Sequence, residues 1–515
     1  MVEIPFDVIP IKYKDAVRIT RALKIRYLWI DSLCIIQDSP DDWKTEALKM
    51  AAVYGGSACN ISYTHEPSEE PAKRYLRDPR TNIPCKLTAA SPRSSWFSAF
   101  RVNNLCNNPS VPAGVVVQRY GGTSNGSWST EGYRKVCSLL SRAWVFQERL
   151  LCPRTVYYGH NKLLWECCET FNDEFGGPMQ YVPRSKARFY SMLPEVPEVT
   201  QNQALRSSLE DFTLQWASIV NEYRTCKLTH EKDRAIAFAG IANAIQWQTG
   251  RRYLAGIWKE VAHFGLLWCV RPTGSGNNMR LPGAGMQEHS ESPSWSWFSV
   301  HCQPNSDYDV VDYRLCSNAA LSSNFIVYSA SILSFEHPKF PGEPEALFYD
   351  FEGLRIMLST YRVPAGLRWE NGMVQLMPHG QAILPEKPHL DYDPRTAMMC
   401  NLDDLSLDAS KELPNDASMI LLVYHRTYKY WKGTEWYAHK DIHQGSEADK
   451  EASPWWTSYS FNGLVVVPEV SSSGHGGSWK RIGVYSFNVQ GAADLVEVVL
   501  PFDLESQEPD EVWLK

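Results

Sequence analysis

Asp31, Ser32, Cys34 and Gln37 follow directly on the apolar run Tyr27, Leu28, Trp29 and Ile30. A carboxylate, a thiol and an amide so close together offer an acid or base, a nucleophile and a hydrogen-bonding group for a ligand. The run lacks alternation and predicts a strand covered on both faces of a mostly parallel sheet. In open α/β sheets ligands bind beyond the carboxyl ends of the strands, so these side chains stand where a site is expected. Asp31 also suits a structural role as the cap of a turn or helix. Cys34 would need a histidine beside it to act as a nucleophile, yet none precedes His65, and it reads as a small buried thiol.

A second set stands on AWVFQERLL (143–151), which predicts an amphipathic helix carrying Trp144, Gln147 and Glu148. Gln37 and Gln147 suit a ribose hydroxyl or an amide, and each can equally satisfy backbone groups. Glu148 reads from its neighbours as a polar residue paired with Arg149 or Arg154. Trp144 is most simply core and is kept with the two amides as a ligand contact. Trp29, Trp165, Trp295 and Trp297 are also read as core, the last two in a strand-like Trp-Ser-Trp order.

The elements that must position these groups follow from spacing. Residues 14–24 predict a helix, 27–30 a strand, and 58–63 the next strand. Between the strands a helix begins near Asp41 or Asp42 and carries Trp43, Ala47, Met50 or Ala51, and Tyr54 on one face. That α-β-α-β order fits a doubly wound sheet. Residues 65–140 dissolve into Pro, Ser, Asn and Gly and predict a long insertion of irregular loops. TVYYG and KLLWEC, joined at His160 and Asn161, predict a hairpin, and the proline-rich residues 178–200 a linker. Helical patterns run from about 203 to 270. FIVYSASIL, LRIMLSTYRV, SMILLVYHRTY, GLVVVPEV and RIGVYSF then predict a β-rich end. The expected organisation is an α/β domain at 1–175 with its insertion at 65–140, a mainly helical region at 176–300, and a β-rich domain at 301–515.

With 515 residues, 44% of them hydrophobic, 19 Trp and 25 Tyr, the chain can fill packed interiors and is not globally disordered. Its formal charge of −7, from 51 basic and 58 acidic residues, argues against nucleic acid as a partner. Charged residues interrupt the first twenty positions and no long apolar run follows, so neither a signal peptide nor a membrane partner is expected. The 13 cysteines lack C-x-x-C pairs and suggest reduced thiols in a cytoplasmic, soluble protein. No metal is expected. His439 and His443 stand four apart without a third ligand, Gly274–Gly285 matches no nucleotide fingerprint, and 443–453 reads as solvated surface.

Residues 27–54, YLWIDSLCIIQDSPDDWKTEALKMAAVY, resemble the signature of the HET (heterokaryon incompatibility) domain of filamentous fungi, Y-x-W-I-D-S-x-C-I-x-Q followed by an acidic residue, Trp and M-x-x-x-Y. Residues 141–167 resemble that family's R-A-W-x-x-Q-E-x-x-L-x-x-R block with its trailing W-E-C. DRAIAFAGIA (233–242), YLAGIW (253–258), LLW (266–268) and PSWSW (293–297) are similar to the region that follows the domain in long members. Members usually carry an earlier strand of the type Y-x-A-L-S-Y-x-W-G. None is found in the 30 residues before Asp31, so the expectation is a truncated start or a member that works without it.

The resemblance implies a TIR-like, flavodoxin-like parallel sheet and a role in fungal non-self recognition and cell death. Trp144–Glu148 is similar in placement to the W-C-x-x-E segment that carries the catalytic glutamate of NAD-cleaving TIR proteins. By that likeness Glu148 is the catalytic carboxylate, Asp31 supports it, NAD is the substrate, and no cofactor is required. Signalling through self-assembly or a protein partner is the second mode the resemblance implies. Two rival readings stand beside it: a HET-like scaffold turned to folding an apolar metabolite for cyclisation, and a non-enzymatic adaptor.

Overall fold

A computed structural model describes residues 4–64, 100–104, 115–119, 138–158, 163–173, 185–193, 202–269, 271–272, 285–286, 292–301, 308–309, 326–337, 348–370, 373–378, 399–403, 413–432, 435–439, 456–469, 477–492 and 507–515. The chain divides into two compact units. Unit 1 comprises Met1–Ser39, Ala58–Leu140 and Pro153–Pro183, and unit 2 comprises Pro40–Ser57, Ser141–Cys152 and Arg184–Lys515.

Unit 1 begins with helix α1, Ile11–Ala22. Its exit is turned by Lys24, which takes a left-handed φ of 58° while its amide donates to the carbonyl of Arg21 at 3.0 Å. Ile30 is extended, but residues 25–30 join no strand among the described residues, and Tyr27 is 77% exposed. The predicted strand at 27–30 is therefore corrected. Apolar content favours burial, but a strand also requires a neighbour for its N–H and C=O groups. Asp31–Cys34 is a single helical turn, α2. The sheet of this unit runs β1 (Asn60–Tyr63), β2 (Arg154–Tyr158), β3 (Leu163–Cys167), β4 (Phe171–Asp173). β1 pairs parallel with β2, and the predicted β2–β3 hairpin and the β3–β4 pair are antiparallel. Its connection at His160 and Asn161 lies outside the described residues. So does most of the predicted insertion, in which only the antiparallel pair Phe100–Asn104 and Val115–Arg119 is described. Helices and strands are thus mixed as expected, but the sheet described here has one parallel pair rather than the doubly wound parallel arrangement.

In unit 2, helix α3 spans Pro40–Gly55, with Pro40 opening the helix where a missing N–H costs nothing and Asp41 and Asp42 in the first turn. Ala47 and Met50 are buried, and Trp43, Ala51 and Tyr54 are half-buried on the same side, as the spacing predicted. Helix α4 is Ala143–Leu151, α5 Ser185–Met192, α6 Asn202–Arg224 and α7 Ile236–Thr249. α5 falls inside the predicted 178–200 linker, the rest of which lies outside the described residues. α7 packs on α3 and α4, and ends at Gly250 with φ 68°. The PSWSW segment forms a short 3-10 turn at Trp297–Ser299 rather than a strand, although Trp295 and Trp297 are fully buried.

The β-rich end appears as predicted, as one sheet of eleven strands. Its pairings close on themselves. Strands β5 (Arg362–Glu370), β6 (Met373–Pro378), β7 (Met399–Leu402), β8 (Ser418–Lys432), β9 (Trp456–Pro468) and β10 (Trp479–Ala492) pair antiparallel in the order β8-β5-β6-β7-β10-β9 and back to β8. Ala365, Leu376, Met419, Leu421, Phe461, Val465 and Tyr485 share one buried cluster. The alternate residues Ile420, Leu422, Leu464, Val466 and Val484 join the main core with the helices. Closure gives each of these six strands a neighbour on both sides, and burial on both faces explains why they read as continuous apolar runs. Of the predicted histidine pair, His439 lies at the end of a strand and His443 outside the described residues. The segments 443–453 and 274–284 are also outside them.

Candidate functional site

The second set of sequence candidates lies on α4, in unit 2, and its surroundings fix that helix on three sides. At its start Ala143 N–H donates to the carbonyl of Lys227 at 3.0 Å, and Lys227 N–H donates to Ser141 at 2.6 Å. Trp144 meets Trp43 of α3 edge to face, with ring centroids 5.9 Å apart. Gln147 is buried, and its Oε1 accepts the backbone N–H of Gly240 in α7 at 2.9 Å. Gly240 needs to be glycine there: an added Cβ would lie 2.7 Å from both Gln147 Oε1 and Ala51 Cβ. On the far side Arg149 Nη1 binds Glu222 Oε1 of α6 at 3.0 Å, with both side chains nearly buried. The sequence pairs Glu148 with Arg149 or Arg154, and the long-range pair of Arg149 with Glu222 adds what neighbour spacing could not show.

Glu148 stands between these two anchored residues and is half-buried. Its carbonyl accepts the N–H of Cys152 at 3.2 Å, closing the helix, and Cys152 Sγ in turn lies 3.0 Å from Ser57 Oγ. The result is a carboxylate on a short helix whose two neighbours in sequence are bound to α7 and α6. Such a group suits stabilising a positive charge at a fixed point, because the helix does not reorganise when the charge develops.

The first set belongs to unit 1. Asp31 is exposed at the start of α2, and its Oδ1 accepts the N–H of Ser32 at 2.7 Å. Gln37 is exposed, and its Nε2 donates to the carbonyl of Ile35 at 2.9 Å and more distantly to that of Asp31. Ser32 Oγ shares a 2.6 Å hydrogen bond with Tyr13 Oη of α1. Cys34 is exposed, which corrects its reading as a buried thiol: on a single helical turn it has no packed face to enter. The structure therefore gathers Asp31, Cys34 and Gln37 around one turn, and Trp144, Gln147 and Glu148 on one helix. Among the described residues, no three His, Cys, Asp or Glu side chains are placed to hold a metal.

Two buried charge centres escaped the sequence reading. In unit 1, Tyr157 of β2 donates a short hydrogen bond to Glu166 of β3, and both are almost fully buried. Glu166 falls in phase with Leu164 on the buried face, so the alternation of LLWEC carried the signal. In unit 2, Arg481 of β10 is fully buried. It grips Asp403 through Nε at 2.9 Å and Nη2 at 3.0 Å, and lies 3.5 Å from the ring centroid of Trp268.

Residues 2–148 match the family model described as Heterokaryon incompatibility protein (HET). The chain carries a HET domain. No curated protein and no solved structure matches it. The match to the HET domain ends on Glu148 itself, so it takes in both sets of candidates. The resembling segments beyond it, at 233–242 and 253–258, lie in the core that holds α4, since Phe238 and Ile241 share a buried cluster with Phe146 and Leu150.

Proposed function

We propose that this HET-domain chain acts in heterokaryon-incompatibility-type non-self recognition, and that it does so by cleaving NAD with Glu148 as the catalytic carboxylate. The observation that carries the chemistry is the half-buried Glu148 held between Gln147, bound to Gly240, and Arg149, bound to Glu222. The parallel β1–β2 pair supports a TIR-like ancestry for the domain.

In this reading the bond between ribose C1′ and the nicotinamide nitrogen breaks, and its electron pair returns to the nitrogen, which leaves as neutral nicotinamide. The cationic sugar that remains is stabilised by the carboxylate, as in glycoside hydrolysis. Water then adds to C1′ and its proton passes to solvent, giving ADP-ribose. Trp144, on the same helix as Glu148, is a further ligand contact. Gln147 acts chiefly by fixing the helix, since its carbonyl oxygen is bound to Gly240.

The test is NAD turnover by the full chain beside Glu148→Gln, with NAD and nicotinamide followed by chromatography. Nicotinamide release that the variant lowers by at least about 100-fold at unchanged melting temperature supports the mechanism. Turnover that survives in Glu148→Gln removes Glu148 from it, and no release at high enzyme concentration removes NAD as the substrate.

A further inference from the structure

Positive charge is concentrated along α1 and the residues that follow it. Between residues 11 and 26 stand Lys12, Lys14, Arg18, Arg21, Lys24 and Arg26 against one acid, Asp15, in a chain whose formal charge is −7. Asp15 is buried and binds Arg18 at 3.1 Å, so it presents no negative charge outward. Three of the cations converge on one ring: Lys14 Nζ, Arg18 Cζ and Arg21 Cζ lie 5.9, 5.8 and 5.9 Å from the centroid of Phe6. Their spacing places them on one helix face, where like charges repel unless an anion joins them.

Exposed apolar side chains stand before and after the helix. Val8 is 71% exposed before it. Ile25 and the largely exposed Tyr27 follow, with Arg26 stacked over Tyr27 at 5.3 Å. A basic helix edged with aliphatic and tyrosine tips has the chemistry of the bilayer interface, where cations meet lipid phosphates and apolar tips enter the headgroup boundary. An acidic peptide would satisfy the cations but leave those tips in water. The negative charge of the rest of the chain would also turn this face toward an anionic surface.

We propose that α1, with Phe6, Val8 and Tyr27, docks this chain on the surface of a bilayer rich in anionic lipid. This is peripheral binding and needs no spanning segment; among the described residues no helix is long and apolar enough to cross a membrane.

The experiment is co-sedimentation of the full chain with phosphatidylcholine vesicles, with and without phosphatidylserine, at low and physiological salt. Binding is expected only with phosphatidylserine and should weaken as salt rises. Lys14→Gln/Arg21→Gln keeps the Arg18–Asp15 pair intact and should lower the partition by about 30-fold without moving the melting temperature. Val8→Ser/Tyr27→Ser should weaken it as well, which a purely electrostatic contact would not show. Failure of the wild-type chain to sediment with phosphatidylserine vesicles, or undiminished binding by either variant, overturns the proposal. Capture of polyglutamate without vesicle binding would assign the face to a protein partner and overturn it too.

Discussion

Gln147 Oε1 accepts the backbone N–H of Gly240 at 2.9 Å, across 93 positions of sequence. At that point α3, α4 and α7 meet, because Ala51 of α3 touches the same glycine. Three segments that resemble HET-family blocks, MAAVY, WVFQE and AIAFAGIA, thus converge on one contact. The approach is close enough that side-chain size at position 240 decides whether α4 keeps its place, and with it Glu148.

Gly240→Ala would put a methyl carbon 2.7 Å from Ala51 Cβ and Gln147 Oε1. Ala51 is held by its helix backbone and cannot give way cheaply, so the expected cost is about 1–3 kcal/mol of stability, despite the better helix propensity of alanine. Denaturant unfolding of the full chain measures it. A stability equal to or above wild type would mean that the three helices do not meet here.

Gly256 offers a graded test of backbone and packing. It takes φ 100° in the turn of the Tyr253–Trp258 hairpin, and its carbonyl accepts the indole N–H groups of Trp297 at 2.7 Å and Trp216 at 3.1 Å. A Cβ would lie 2.6 Å from Trp297 Nε1. Gly250 also has positive φ, at 68°, but open space around it. Gly250→Ala should therefore cost about 1 kcal/mol for conformation alone. Gly256→Ala should cost at least about 2 kcal/mol more, read from the same unfolding curves. Equal losses would show that strain and not the indole contact dominates.

These contacts mark the limit of what residue order reveals. Helices α3, α4 and α7 were legible because apolar side chains recur at helical spacing. The strands of the closed ring were legible because Met419 to Leu422 are buried alternately on its two faces, which leaves an unbroken apolar run. The closure itself was not legible. It depends on Arg362–Pro364 finding Ser418–Ile420 and Met399–Leu402 finding Gly483–Ser486, and no local pattern encodes such distant pairing. The run 27–30 was misread for the same reason, since apolar residues do not announce whether a neighbouring strand is present. At the candidate site the residue types were visible, but not the long-range partners that hold Gln147 and Arg149.

Arg481 ties the ring of strands to the helical layer. Besides Asp403 it donates to the carbonyl of Leu266 at 2.7 Å and to that of Trp268. Burial raises the Asp403 carboxyl above its usual range, and the Arg481 guanidinium beside it opposes that rise. Asp403→Leu leaves the guanidinium buried without its counter-charge and should cost about 3–5 kcal/mol. Asp403→Leu/Arg481→Met removes both charges and should recover part of that loss, although the two carbonyls then lose their donor. A double-mutant cycle on unfolding free energies measures the recovery. Additive losses would mean that the pair is not coupled.

His263 gives the fold an acid limit. Desolvation drives its imidazole down from 6.5 to about 3, because the surroundings beside Phe264 disfavour the charged form. The unfolded chain therefore binds a proton between these values that the folded chain refuses. The stability this group contributes is complete above about pH 6.5 and falls as pH drops toward 3, by about 1.4 kcal/mol per pH unit. Other acids titrate in the same window, so the informative quantity is the difference from a variant without the imidazole. His263→Phe keeps an aromatic ring in place and should show a shallower fall in unfolding free energy between pH 6.5 and 4.5. Parallel curves for the two proteins would mean that His263 takes up its proton in the folded state.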